Sequence, residues 1–203
     1  MATLDSFLPL IRGRLPGCPD IVLKDGVRDA CIEFCRRTEL LSESIALEVT
    51  AAEPAYPLTA TTGDVWEVLA LRRESSSLQP ANRREFQLQG WDVTTGAPGY
   101  YYLDGDGSLV LGPIPDADET LTLLVTVVPA GNATTVPDAL YQDHREAIAA
   151  GARAWVRRNL GDWVNPQLEA EDRKVFEYGV HNQNIRRARG GVNAPLRVRA
   201  QPF

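Results

Sequence analysis

The sequence has few of the residues and motifs that carry enzyme chemistry. Gly-x-Ser-x-Gly, the lysine-containing phosphate loop and Gly-x-Gly-x-x-Gly are all absent, which removes common signatures of hydrolases, ATPases and dinucleotide-binding proteins. The two histidines, His144 and His181, fall on predicted helices and have no cysteine at ligand spacing, which favours surface or capping roles. We predict no enzymatic activity, no catalytic residue and no cofactor.

Cysteines are also scarce, and long apolar runs are absent. Cys18, Cys31 and Cys35 are an odd number, unlike a secreted disulfide framework, so we expect free thiols. Cys31 and Cys35 share a helix face, but no second ligand pair follows, which favours buried small side chains over a metal site. No run approaches the roughly 18 apolar residues of a membrane span, and the N-terminus lacks a signal-peptide core. We expect a chain made and kept in the cytoplasm.

Charge is distributed unevenly along the 203 residues, whose formal net charge is −6. Residues 186–203 contain five arginines and no acid, a local charge of +5, so residues 1–185 carry −11. The first three, Arg186, Arg187 and Arg189, form a basic helix end that suits the helix dipole. The remaining two fall in the final stretch, beyond the predicted helix. Such an asymmetry is typical of an interaction tail.

The last residues have the pattern of an extended segment laid along a surface. Leu196 and Val198 alternate with Arg197 and Arg199, and Phe203 ends the sequence. We therefore predict that residues 190–203 form an extended basic arm that docks on a partner or on a neighbouring subunit.

Hydrophobic periodicity predicts helices, then strands, then helices. Residues 4–15 are predicted as a short helix, and Pro19 and Asp20 open a second one. That second helix carries one apolar stripe, formed by Leu23, Val27, Cys31, Phe34 and Cys35. We predict an α+β fold with four parts: N-terminal helices (1–41), an inserted antiparallel β-domain (42–135), C-terminal helices that complete a helical bundle (136–189) and the arm (190–203).

Three further expectations concern single elements. Apolar residues on both faces of the strand around Leu124 and Val128 predict a central strand that is covered on both sides. The alanine-rich run from Ala147 predicts a helix that is packed closely on several sides. The last helix, N-capped by Asn165 ahead of Pro166, is predicted to bury Leu168, Val175, Phe176 and Gly179.

Residues 100–111 predict a β-hairpin. Tyr100 and Tyr102 share one face, and Asp104, Gly105, Asp106 and Gly107 supply a turn that needs positive φ. The two aspartates resemble the start of a calcium loop, but the later bidentate glutamate is missing, which favours a turn. The tyrosines have two readings, stacking of sugars or bases and sheet packing, of which packing is the commoner.

Four features follow one another along nearly the whole chain. They are the N-terminal helix pair, the runs GAPGYYYL from Gly96 and DGSLVLGPIPD from Asp106, the strand that ends in Pro129, and PDAL from Pro137 leading into the alanine-rich helix and the helix of Phe176. In this order they resemble the head-to-tail adaptor, or connector, proteins of tailed bacteriophages, including tail-tubular-A-like proteins. Residues 75–91 depart from the resemblance.

The resemblance implies a structural virion protein that assembles with itself below the portal, as a ring of about twelve copies. It implies a C-terminal segment docked on the portal protein and an opposite end presented to the tail tube or nozzle protein. The hairpin residues Tyr100, Tyr102, Asp104 and Asp106 are then expected to contact the tail or a neighbour. DNA would pass through the lumen without sequence-specific binding, and an acidic wall would repel it.

Two other functions remain open from the sequence. The tyrosine hairpin is compatible with a carbohydrate- or peptide-binding β module of a phage tail or baseplate. A hydrolase with catalytic residues scattered along the chain has no positive feature in its favour.

Overall fold

Helices occupy both ends of the described chain and short strands occupy its middle, which confirms the predicted α+β class. The structure is a computed structural model that describes residues 1–74 and 76–190. In chain order the elements are β1 (Ala2–Thr3), α1 (Leu8–Arg12), α2 (Asp20–Thr38), β2 (Ser42–Val49), β3 (Ala55–Pro57), β4 (Asp64–Arg73), β5 (Ser76–Ser77), β6 (Gln79–Pro80), α3 (Arg83–Gln89), β7 (Thr95–Gly96), β8 (Tyr100–Leu103), β9 (Ser108–Gly112), β10 (Ile114–Pro115), β11 (Glu119–Val128), β12 (Thr135–Val136), α4 (Asp138–Asn159) and α5 (Pro166–Ala188).

The chain divides into two units. A helical unit contains Met1–Leu40 and the chain from Pro129 onward, and a β unit contains Leu41–Val128. No described helix is both long and apolar enough to cross a membrane.

The helical unit is built on α2, α4 and α5. The predicted stripe of α2 is its core face, because Leu23, Val27, Cys31, Phe34 and Cys35 are all buried. The alanine-rich part of α4 is buried on several sides, as predicted, and lies very close to α5. A Cβ added to Gly179 would lie 2.4 Å from the Cβ of Ala147, and one added to Gly151 would lie 2.5 Å from the Phe176 ring. Small residues at these two positions therefore permit the close helix approach.

Ion pairs join α2 to α5 across the surface of the helical unit. Arg37 donates to both carboxylate oxygens of Glu177, at 2.7 and 2.5 Å. Arg173 donates to Glu33 at 3.0 and 2.6 Å, and each arginine also contacts the other acid. The four alternating charges form a closed network, the arrangement in which half-exposed ion pairs contribute most.

The β unit contains two four-stranded sheets, ordered β2-β11-β4-β5 and β3-β9-β8-β6. The longer strands pair antiparallel, and two short pairs, β6 with β8 and β7 with β10, are parallel. Side chains from both sheets form one core cluster. Helix α3 begins with a capping box in which the Asn82 side chain accepts from Glu85 N–H at 2.9 Å and the Glu85 side chain accepts from Asn82 N–H.

Several element-level predictions are wrong in detail. The first helix is shorter than residues 4–15, because a 3-10 turn over Leu4–Phe7 precedes α1, which ends at Arg12. Strand β11 is central, but its second face is not fully covered, since Leu124 is 40% exposed while Val128 is buried. On α5, Leu168 and Val175 are exposed, and the buried line is instead Asp172, Phe176 and Val180.

Candidate assembly surfaces

The predicted hairpin forms from β8 and β9, and its turn uses the two aspartates. Tyr100 pairs with Gly112 and Leu103 with Leu109 in an antiparallel register. Gly107 has φ of +85°, a conformation that glycine adopts without strain, and its N–H donates to Asp104 O at 2.9 Å. The Asp106 carboxylate accepts from Ser108 N–H at 2.9 Å, and this hydrogen bond lowers the pKa of Asp106. The acids therefore serve the turn itself.

The tyrosines of the hairpin pack against aromatic side chains of the same unit. Tyr100 stacks on Trp91 with ring centroids 3.8 Å apart, and Tyr102 meets the edge of Phe86 at 4.7 Å. Tyr101 points the other way and is buried in the β core. This arrangement supports the packing interpretation of Tyr100 and Tyr102.

The basic helix end lies in the last turn of α5, and its arginines have different surroundings. Arg187 donates to Glu39 at 2.7 Å and to Thr38 O at 3.3 Å, so it ties the ends of α5 and α2 together. Arg189 caps the helix through its backbone N–H, which donates to Ile185 O at 3.1 Å. Arg186 and Arg189 line an open groove between α4 and α5, and these guanidinium groups are exposed.

That groove has a volume of about 590 Å³ and mixes apolar and charged side chains. Its α5 wall includes Val175 and Tyr178, of which Tyr178 is 68% exposed. Its α4 wall includes Asp143, Arg145 and Glu146. The predicted burial of Val175 is therefore wrong, because this residue lines the exposed groove between α4 and α5.

His144 and the three cysteines are buried, whereas His181 is exposed. His144 is buried against the Phe34 ring, 4.7 Å away, so its predicted surface role is wrong, and desolvation lowers its pKa. All three thiols are free and buried. Burial raises the pKa of Cys31 well above its ordinary value and that of Cys35 to about 12, which keeps the nucleophilic thiolate form rare. Within the described residues, no group of three or more histidine, cysteine or acidic side chains is placed to hold a metal ion.

A buried ion cluster, which the sequence did not reveal, joins α1, α4 and α5. Arg153 and Arg157 on α4 are each 5% exposed, and both bind the Asp172 carboxylate of α5, which is 2% exposed. Arg153 also donates to Leu10 O at 3.1 Å and Arg157 to Arg14 O at 3.3 Å. Desolvation, followed by repulsion from Arg14, lowers the pKa of Arg153 to about 10. The guanidinium groups thus hold the C-terminal end of α1 on the helical bundle.

Charge is segregated between the two units. The β unit, Leu41–Val128, contains 13 acidic and 4 basic residues, a net charge of −9. The remaining residues contain 14 acidic and 17 basic residues, a net charge of +3. The acidity predicted for residues 1–185 as a whole is thus concentrated in the strands and their loops. The predicted docking arm, with Leu196, Arg197, Val198, Arg199 and Phe203, lies outside the described residues.

The model of one protein family, the SU10 adaptor protein, matches residues 2–199 of the chain. The chain belongs to the SU10 adaptor protein family. No curated protein matches the chain.

Membership in the SU10 adaptor protein family identifies the chain as a bacteriophage adaptor, a structural component of the virion. Adaptors of this kind interact with portal and tail proteins. The hairpin lies in the β unit and the basic helix end lies in the helical unit.

Proposed function

We propose that the protein forms a ring between the portal and the tail of a bacteriophage particle, where it seals and extends the channel for DNA. The observation that carries this proposal is the family match over residues 2–199, which spans both units rather than one of them. A closed ring of about twelve copies is built from repeated head-to-tail contacts, in which one patch of each copy meets a different patch of the next.

The charge of the β unit supports a role as a channel component. The β unit carries a net charge of −9 over 88 residues, which repels the phosphate backbone of DNA. Proteins retain DNA mainly through basic side chains that bind phosphates and release counterions, so an acidic surface lets DNA move past. We propose that DNA passes through the lumen without sequence-specific binding. In this role the protein needs no catalytic residue and no cofactor.

We propose that the C-terminal arm attaches the protein to the portal or to the adjacent subunit. The arm carries Arg197 and Arg199 and no acid, which gives it the charge opposite to that of the β unit, and Arg186, Arg187 and Arg189 lie just before it. The hairpin is proposed as the contact with the tail or with a neighbour. Its tyrosines pack on Trp91 and Phe86, which holds the hairpin on its own unit. The alternative, a carbohydrate- or peptide-binding β module, gains no support from tyrosines that pack on Trp91 and Phe86.

Electron microscopy of the full chain mixed with portal-containing capsids tests the proposal. We expect an additional ring of density at the tail vertex, below the portal. Capsids that lack the portal are the control and should gain no such ring. Binding distributed over the capsid surface, or no added density at the vertex, would contradict a head-to-tail adaptor role.

A further inference from the structure

Strand β2 leaves one edge of its sheet unpaired among the described residues. The sheet order places it at the end, where its eight residues pair with β11 alone. The register runs without interruption from Ser42 opposite Thr126 to Val49 opposite Glu119. A long, regular edge strand presents a row of backbone N–H and C=O groups to which another extended chain can add.

The β2 strand lacks most features that protect edge strands. It has no proline, no glycine and no bulge. Strand β4, which β5 covers at only two residues, differs because its register with β11 shifts at two places. Two acids lie on β2. Glu43 shares the face of Ile45, and its carboxylate accepts from Thr61 N–H at 3.0 and 3.2 Å. Glu48 is exposed on the opposite face, where it disfavours pairing of one β2 with another and favours a basic strand.

The two faces of β2 define what kind of strand fits beside it. Ile45 and Leu47 face the core, and Ile45 is only partly buried, so an apolar neighbour would complete its cover. Ser44, Ala46 and Glu48 are exposed on the opposite face. The matching strand therefore alternates apolar and basic residues, with the basic ones on the side of Glu48.

We propose that residues 196–199 of one copy add a strand to the β2 edge of a neighbouring copy. In this segment Leu196 and Val198 alternate with Arg197 and Arg199, as the two faces require. The seven residue-to-residue steps from Arg189 to Leu196 span up to about 23 Å when the chain is extended, enough to reach beyond the helix that bears them.

Charge segregation favours a neighbouring copy as the source of the strand. Contacts that close a ring join two different patches, and this chain carries one basic segment and one acidic unit. Contact of arm with arm, or of β unit with β unit, would bring like charges together. The inference rests on the proposed ring, for which it names the contact between subunits.

Disulfide cross-linking between two full-length variants tests the contact. Ala46→Cys is placed in one preparation, and Arg197→Cys or Arg199→Cys in another; the native thiols are buried. Mixed under mild oxidation, in solution and on portal-containing particles, the preparations should form a disulfide that joins one copy of each. Thr122→Cys is the matched control, because Thr122 lies opposite Ala46 on β11. A strand added outside β2 would be about 9.6 Å from it, too far for a disulfide.

The charge contribution is tested on the pair Ala46→Cys and Arg199→Cys. Adding Glu48→Lys to the first partner should lower the yield of the mixed disulfide several-fold, and adding Arg197→Glu to the second should restore it. Glu53→Lys, which changes an acid outside β2, is the control and should have no effect. The yield for the original pair should fall as salt rises.

Three results would overturn the inference. They are absence of the mixed disulfide both in solution and on particles, formation of the mixed disulfide equally well with Thr122→Cys in place of Ala46→Cys, and cross-linking of the arm to the portal instead. If a ring forms at the tail vertex without the mixed disulfide, the β2 contact is wrong and the proposed function stands. If the mixed disulfide forms but no ring joins the vertex, the proposed function is wrong and the contact stands.

Discussion

At the scale of single residues, Phe34 is at the centre of the helical unit. It is fully buried, with the His144 ring 4.7 Å away and the Phe176 ring at 6.0 Å in an edge-to-face arrangement. Three helices therefore meet at this one side chain, because Phe34 belongs to α2, His144 to α4 and Phe176 to α5.

Replacing Phe34 by alanine should lower the free energy of unfolding by about 3–5 kcal/mol, through lost apolar burial and the cavity left between three helices. Urea unfolding of the two proteins measures the difference. Ile21→Ala is the control on the same helix, since Ile21 is 70% exposed and should change stability little. A loss below 1 kcal/mol at Phe34 would show that the stripe of α2 is not the core.

Burial of His144 should make stability depend on pH. Desolvation lowers its pKa in the folded state, so below the unfolded value of about 6.5 the unfolded chain takes up a proton that the folded chain does not. Stability should be constant just above pH 6.5 and fall as the pH drops from there towards 5, by at most about 1.4 kcal/mol per pH unit.

Replacing His144 by glutamine should remove this slope, as measured by urea unfolding at several pH values. His181→Gln, which changes an exposed histidine on α5, is the matched control. A slope that survives in His144→Gln would assign the effect to another group.

At this scale the sequence predicted the α2 stripe correctly, because apolar residues at helical spacing give only one buried face. It did not predict the burial of His144. The spacing along α4 predicts that His144 lies on a helix. It does not reveal that His144 packs against Phe34, which lies 110 residues earlier in the chain. Only the packing of α2 on α4 decides which side of that turn is covered.

At the scale of elements, α5 shows where an apolar pattern misleads. Its buried residues, Asp172, Phe176 and Val180, are spaced four apart, but the first is a carboxylate. A buried acid is compatible with folding only beside cations, and these, Arg153 and Arg157, come from a different helix. The apolar character of Leu168 and Val175 predicts burial, but the structure places them on the exposed side.

Removing the Asp172 carboxylate should be strongly destabilising. Asp172→Ala leaves two buried guanidinium groups without their acid and should cost about 3–5 kcal/mol, as observed when one partner of a buried ion pair is removed. Glu169→Ala, one turn earlier on α5, removes the acid that pairs with the exposed Arg158, and should cost no more than about 1 kcal/mol. Equal effects of the two substitutions in urea unfolding would contradict the buried cluster.

Strand β11 illustrates the same limit in the β unit. The alternation of Leu121, Leu123, Val125 and Val127 correctly predicted its buried face, and the apolar residues on its other face correctly predicted its central position. On the other face, Leu124 is exposed and Val128 is buried, although both are apolar. The sequence pattern alone does not distinguish the two. The positions of β2 and of the hairpin in their sheets also depend on pairings between distant residues, which one sequence does not contain.

At the scale of the whole molecule, sequence composition predicted an acidic protein with a basic end, and the structure adds where the acid lies. The division at Leu41 and Val128 leaves −9 in the β unit and +3 in the rest. Charges arranged in this way do little for folding of either unit, because exposed charges are screened over about 8–10 Å at physiological salt. They are well suited to steer contacts between copies.

Deleting residues 190–203 should separate folding from assembly. Every buried residue of the described chain lies before Arg189, so the truncated protein should melt at nearly the temperature of the full chain. The deleted segment carries arginines and backbone groups that can make charge-assisted contacts and hydrogen bonds to a partner. The truncated protein should therefore fail to remain with portal-containing particles, as measured by co-sedimentation.

Substitutions at Arg197 and Arg199 test whether the charge of these residues is what attaches the protein to the particles. Glutamate at both positions should weaken attachment most strongly at low salt, because repulsion from the acidic β unit is then least screened, whereas lysine at both retains the charge and should keep most of the binding. Attachment of the truncated protein at the level of the full chain would show that the arm is dispensable. The anchor would then have to lie in the N-terminal helices or in the tyrosine hairpin, and the α4–α5 groove would be the next surface to mutate.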